Sequence, residues 1–600
     1  MKPTIQYPPA RHTRFALPPI ALCVALSACS TPPAPAAPTA APEERAIEEV
    51  VVTGARVEHE ASANDLGQIS ADTTMRGHSK SAARLQSVPQ SRSIAPGYLP
   101  SPVDLYVRPQ PNTERYPDAD DNAVKQVANH PVSTFSIDVD TAAYANARRQ
   151  INGGLLPRAE SVRVEEFINY FNYSYPRPNA ADGPFSITTE VGPSPWNDDR
   201  KLMLVGLQGF EVERDELPRA NLVFLIDVSG SMNQPNKLGL LKSSMKMLTR
   251  SLRPEDSISI AVYAGAAGEV LEPTSGRDRA KIMAAIDSLQ AGGSTNGGAG
   301  INLAYSLAKK NFNDEGINRV ILATDGDFNV GTTSVDALRN LIENKRKSGV
   351  SLTVLGFGAG NYNDALMQEL AQKGNGNAAY IDSVNEARKV LVDEVGSTLQ
   401  TIAKDVKIQV EFNPALVREY RLIGYETRAL KREDFNNDKI DAGDIGAGHS
   451  VTALYELTLA NAAKPSVDDL RYGAETAAAP AAIFKDATIA AELAHVKLRY
   501  KEPDGTQSKL LTRVVKRSEL TAKLDSTSEN YRFAAAASAF GQLLRGSDYT
   551  GTFSLDDALA LARQSRGTDE FGYRHEFEQL LRTAAELAPL EDNGTALSSR

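Results

Sequence analysis

The stretch NLVFLIDVSGSMNQ, Asn221 to Gln234, opens with five apolar residues among its first six. It then sets Asp227, Ser229 and Ser231 at alternate positions. A short apolar run closed by polar turn residues reads as a buried strand, and this one ends by offering a carboxylate and two hydroxyls to one point. Outward from it, residues 221 to about 400 alternate strands and helices. A helix is expected near 237–250, then the strand SISIAVY, a helix near 277–288, and the Gly-rich AGGSTNGGAG. The helix INLAYSLAKKNF follows, then the strands RVILAT and SLTVLGFG, each leading into a helix. GFGAGNYN lacks dinucleotide spacing and reads as a turn. Apolar strands joined by helices predict an α/β, doubly wound parallel sheet. Such sheets take ligands beyond the carboxyl ends of their strands.

Two later segments carry suitable groups at equivalent ends: Thr295 in GGSTNGG and Asp325 in ILATDGDFN. Connection rules bring these loops to the same edge as Asp227. All five residues offer oxygen, the donor of a hard cation such as Mg²⁺. Each one alone is explained by helix capping or a turn; the five together are not. The set Asp-x-Ser-x-Ser, a Thr in a Gly-rich turn, and Thr-Asp-Gly resembles the metal-ion-dependent adhesion site of von Willebrand factor type A domains. That resemblance implies coordination through the hydroxyls of Ser229, Ser231 and Thr295, with Asp227 and Asp325 acting directly or through water. It implies Mg²⁺, with Mn²⁺ or Ca²⁺ as alternatives, and an open position for an Asp or Glu of a protein partner. It also implies that the last helix of the domain, near 385–398, can move on binding. FSIDVDTAAYANARRQI, RVEEFINYF and DFNNDKIDAGDIGAGHSVTALYEL extend the likeness to bacterial type A lipoproteins with dedicated flanks, over most of 125–590.

Strand-like runs flank the central domain. FSITTEV and KLMLVGLQGF precede it; DVKIQVEF, VTALYELTL, HVKLRY and SKLLTRVV follow, alternating apolar with polar as half-buried strands do. The expectation is a β-sandwich interrupted by the α/β domain. Ser526 and Ser554, each three residues before an acid, read as helix starts near the C-terminus, and Gly546 as a stop. The expected divisions are a signal peptide (1–28), a Pro/Ala-rich disordered tether (29–120) and an N-terminal helical flank (121–180). The first part of the sandwich (181–218), the type A domain (219–402), the second part of the sandwich (403–517) and a helical C-terminal region (518–600) follow.

Lys2, Arg11 and Arg14 before FALPPIALCVALSAC give the pattern of an export signal. Leu26-Ser27-Ala28-Cys29 looks like a bacterial lipobox, which implies a lipid-anchored mature protein beginning at Cys29. By that resemblance its address is the outer membrane, facing the periplasm. The chain's two cysteines are Cys23 and Cys29, so the mature protein has no pair to oxidise. A tether of roughly 90 residues spans about 50 Å. Within it, Glu48 to Val57 resembles the start of the plug of TonB-dependent receptors, though no barrel pattern follows.

Asp434, Asn436 and Asp438 fall at calcium-loop spacing, but Lys439 replaces the turn glycine and Ile445 the closing acid, so a polar hairpin loop is favoured. Asp138 and Asp140 can be metal ligands or a helix cap; the cap is favoured. A net charge of −10 lacks the basic footprint of a nucleic-acid binder. No nucleotide-binding or nucleophile-elbow motif points to an enzyme. The reading is therefore an envelope-anchored, metal-dependent binding or scaffold protein; the alternative is an assembly or quality-control factor acting with a partner ATPase.

Overall fold

Four strands precede the quoted stretch: β1 (Lys125–Gln126), β2 (Val132–Ser136), β3 (Phe185–Pro193) and β4 (Lys201–Gly209). The structure, a computed structural model, describes residues 113–116, 120–137, 140–178, 183–293, 297–326, 335–394, 399–462, 464–468 and 486–588. Cys29, the segment 48–57, Asp138 and Thr295 lie outside the described residues. No helix among the described residues is long and apolar enough to cross a membrane.

The central domain contributes β5 (Ala220–Asp227), β6 (Ser257–Tyr263), β7 (Ala267–Ser275), β8 (Ile317–Thr324), β9 (Ser351–Phe357) and β10 (Ala378–Ile381). They form one sheet in the order β10-β9-β8-β5-β6-β7. Every residue of β5 is buried. Val223 and Leu225 face one helical layer, with Ile301 and Leu338. Leu222, Phe224 and Ile226 face the other, with Leu241 and Met245. A strand with an apolar core on both faces has to be apolar at successive positions there, which is why Leu222–Ile226 of β5 shows no alternation. The sheet is not wholly parallel: β7 runs antiparallel to β6 at one edge. β6 and β7 are joined by three residues, too few for the crossover that a parallel neighbour requires.

After the domain come β11 (Thr401–Phe412), β12 (Val417–Ile423), β13 (Gly443–Gly446), β14 (Ser450–Leu459), β15 (Glu492–Lys501) and β16 (Ser508–Lys516). They make two antiparallel sheets, β1-β12-β14-β4-β3 and β13-β11-β15-β16. Their inner faces share a core that includes Val205, Leu207, Ile408, Val410, Tyr455 and Val496. β15 alternates buried with half-buried positions along most of its length, the signature of one covered face. The type A domain is thus inserted between β4 and β11. The flank at 121–180 carries strands beside its helices, one of them where STFSI reads as a short strand, Thr134 to Ile137. β1 pairs with β12, and β2 pairs with β11 from Lys407↔Ser136 to Glu411↔Val132.

The helices Ala142–Asn152, Val164–Asn169, Glu529–Arg545, Leu555–Gln564 and Tyr573–Leu587 pack together around Tyr144, Phe167, Phe171, Phe533, Phe540 and Phe577. Ser554 forms a full capping box with Asp557, and Gly546 ends its helix at φ 75°. Ser528, not Ser526, caps the helix Glu529–Arg545: its hydroxyl accepts the Tyr531 N–H. Asp140 does not cap with its side chain either. Its Oδ1 accepts the Ala378 N–H at 2.9 Å and its Oδ2 the Arg428 guanidinium at 3.0 Å, tying the type A domain to the sandwich.

Candidate metal centre

Asp227 is the last residue of β5, and Asp325 follows β8, its immediate neighbour in the sheet. Both are fully buried. Asp227 Oδ1 accepts the Ser229 N–H at 2.8 Å; the Ser229 side chain also bonds Asp227, and the Ser231 side chain bonds Asp325. The Ser229 and Ser231 hydroxyls lie 2.9 Å apart. Thr324 and Tyr263, at the ends of β8 and β6, donate to Asp227 Oδ2 at 3.2 and 3.3 Å. Among the described residues, Ser229 is enclosed and Ser231 exposed.

The Gly-rich segment is bonded to the same turn. Gly230 donates to the Gly293 carbonyl at 3.1 Å, and Gly292 to that of Val228 at 2.7 Å. Those bonds end just short of Thr295. Four of the five expected residues, Asp227, Ser229, Ser231 and Asp325, therefore meet at one edge of the sheet, and the chain leading to Thr295 arrives there.

Sequence reading missed Lys237. It sits in a π turn, Pro235–Gly239, before the helix Leu240–Ser251. Only 3% of it is exposed, and its ammonium donates to Asp325 Oδ2 at 2.8 Å and to Asn361 Oδ1 at 3.2 Å. Gly358, at φ 80°, gives its stem room: a Cβ there would overlap the lysine side chain. Gly326, at φ 100°, is boxed in by backbone, since a Cβ would lie 2.7 Å from Asn361 O, Asn363 N and Tyr362 Cα. The segment that looked like a plain turn, GFGAGNYN, thus walls the site. It also receives the start of the described chain: Thr113 donates to the Gly360 carbonyl at 2.8 Å and Arg115 to that of Tyr362 at 3.0 Å.

The two carboxylates differ electrostatically. Burial pushes the Asp227 carboxyl up, and the Asp325 charge adds to this, against the bonds from Ser229 and Thr324. Burial acts upward on Asp325 too. There the bond and charge of Lys237, with bonds from Ser231 and Asn361, outweigh it and hold the carboxyl below its ordinary value. Two carboxylates and two hydroxyls, with no nitrogen or sulfur donor, fit a hard divalent cation. Among the described residues no three His, Cys, Asp or Glu side chains are placed to hold a metal ion, so a cation here depends on hydroxyl donors.

The calcium-spaced loop is occupied differently. Asp434 Oδ2 accepts the Lys431 N–H at 3.1 Å. Asp438 Oδ1 is shared between Arg499, at 3.0 Å, and the Ser508 hydroxyl, at 2.5 Å. Asn436 ends the short helical turn Arg432–Asn436.

Three family models match the chain: von Willebrand factor over residues 110–204, von Willebrand factor type A domain over 221–393, and the C-terminal region of the uncharacterized protein YfbK over 397–587. The protein YfbK of Escherichia coli (strain K12) is 48% identical over 480 residues, 79% of this chain and 81% of its own. The uncharacterized protein sll0103 of Synechocystis sp. is 33% identical over 302 residues, 49% of this chain and 64% of its own length. Human inter-alpha-trypsin inhibitor heavy chain H4 is 29% identical over 192 residues, 30% of this chain and 20% of its own.

Proposed function

The chain belongs to the family of the Escherichia coli protein YfbK, built around a von Willebrand factor type A domain, and on that premise we propose that it is a metal-dependent protein-recognition module of the cell envelope. A domain of this type points to protein–protein interaction or adhesion. The finer reading rests on one observation: Asp227, Ser229, Ser231 and Asp325 are gathered at the carboxyl edge of the sheet, with Ser231 exposed.

In this reading Ser229, Ser231 and Thr295 hold Mg²⁺ through their hydroxyls, and Asp227 and Asp325 hold it directly or through water. When bound, the cation supplies a coordination position that a carboxylate of a partner can complete. Neutral hydroxyls keep the donor charge low, so an incoming Asp or Glu is attracted rather than repelled. The Asp227–Ser229 bond fixes the turn in advance, which reduces the ordering cost of binding. The role is binding and not catalysis. Attachment is through lipid on Cys29, at the outer membrane facing the periplasm, with the tether giving reach.

The test is capture of partners from envelope extract by the wild-type chain in Mg²⁺, by the same chain in EDTA, and by Ser229→Ala. Partners retained only by the wild type in Mg²⁺ are expected. The same partners held equally in all three arms would sink metal-dependent recognition.

A further inference from the structure

Lys237 is hard to explain as a surface residue. A lysine is almost never buried without a partner, because taking an ammonium out of water is costly. This one is 3% exposed. Three residues from two segments are shaped around it: Asp325 after β8, and, in the wall loop, Asn361 and Gly358, which has no side chain where the lysine stem passes. Its acceptor is one of the two carboxylates of the metal centre.

We propose that Lys237 is an internal competitor of the divalent cation, setting the affinity of the site below what its oxygen donors alone would give. The inference rests on the metal-binding reading above. Asp325 Oδ2 is committed to an ammonium 2.8 Å away, so that oxygen is withdrawn from the donor set. The same positive charge, shut away from screening water, repels a divalent cation arriving at Asp325. A divalent ion gains the site only by outbidding a group that is covalently part of it. Occupancy then depends on the concentration of free divalent cation, and any recognition through the metal inherits that dependence. A merely structural lysine makes a different prediction: its removal would cost stability whether or not metal is present and would not tighten binding.

Isothermal titration calorimetry of the full chain with MgCl₂ and with MnCl₂, alongside melts with and without each salt, separates these cases. Lys237→Met keeps the length of the stem and removes the charge. It is expected to bind either ion about tenfold more tightly or better. Its metal-induced rise in Tm should exceed that of the wild type, since stabilisation grows with the logarithm of ligand concentration over Kd. Asn361→Ala, which loosens the clamp and leaves every charge in place, should tighten binding in the same direction by a smaller factor. It carries the test if the methionine variant does not fold. Unchanged or weaker affinity in the variant would overturn the role of Lys237 and leave the metal centre standing. No binding by the wild type or by either variant would overturn the metal centre itself.

Discussion

At the scale of single residues, the site is controlled by side chains that lie far apart along the chain. Asp227 and its two serines share one turn, so their spacing alone announces them. Lys237 and Asn361 are different: nothing near Asp325 in sequence points to them, because their contacts span 88 and 124 residues from Lys237. Gly326 is the backbone counterpart. With positive φ and backbone on three sides, Gly326→Ala must push residues 361–363 away and drag Asp325 with them. We expect a stability loss of about 2 kcal/mol or more and loss of the Mg²⁺-induced Tm shift, read in melts with and without the salt. A second residue-scale effect lies away from the site. Burial pushes the Asp444 carboxyl up to about 7, and its Oδ2 is enclosed without a hydrogen-bond partner. Such a group takes up a proton on folding, so its stabilising contribution is complete below the ordinary value of 3.8 and is lost as pH rises through about 7. Melts from pH 4 upward should fall across that window in the wild type and fall less in Asp444→Asn.

At the scale of elements, the strands that were readable are those whose burial is uniform or strictly alternating. β5 and β8 each hold an unbroken apolar run, Leu222–Ile226 and Val320–Ala323, and β15 alternates, so length and period identify them. β7 escaped notice because AGEVLEPTS carries a glycine, a proline and two glutamates; its place at the sheet edge tolerates them. β10 has only four residues, too short to show a period. β2 is readable as a short strand at Thr134–Ile137, but it belongs to a sandwich sheet through a partner more than 270 residues later, a pairing that no local pattern encodes. The helix starts divide in the same way. Ser554 has both halves of its capping box, and Ser554→Ala should cost about 1 kcal/mol in urea denaturation. Ser526 has the same spacing to an acid, yet Ser528 does the capping, because the chain at 524–526 is already committed to a separate short turn.

At the scale of the whole molecule, the type A domain is fastened at its end to both flanks. The described part of its last helix, Val384–Arg388, continues as a π turn, Lys389–Asp393. Residues 395–398 of the helix expected near 385–398 lie outside the described residues. Arg148, 1% exposed, reaches from the N-terminal flank to Asp382 and Glu386 of the domain and to Glu576 of the C-terminal helix. Tyr170 donates to Glu386 at 2.7 Å, and Tyr573 to Asp393 at 2.7 Å. The Lys389 ammonium lies over the rings of Tyr170 and Tyr573 and pairs with Glu394. Burial pushes the Glu386 carboxyl up against the pull of Arg148, so the cluster depends on that guanidinium. Arg148→Met strands two buried acids and should cost about 3–5 kcal/mol, measured by urea denaturation of the full chain. For the same reason residues 219–394 expressed alone should melt well below the intact protein. Half of that fastening belongs to helices far away in sequence, so the sequence conveyed the insertion but not the clamp.

The backbone bonds from Thr113 and Arg115 to the loop at 360–362 have a mechanical consequence. Among the described residues, tension entering at Thr113 meets those two bonds, together with the Gly360 N–H donated to Glu114 and the Arg149–Glu114 pair, before it reaches any strand of the sandwich. The loop that receives it carries Asn361 and lies against Gly326, so force entering at Thr113 is delivered to the wall of the candidate cation site.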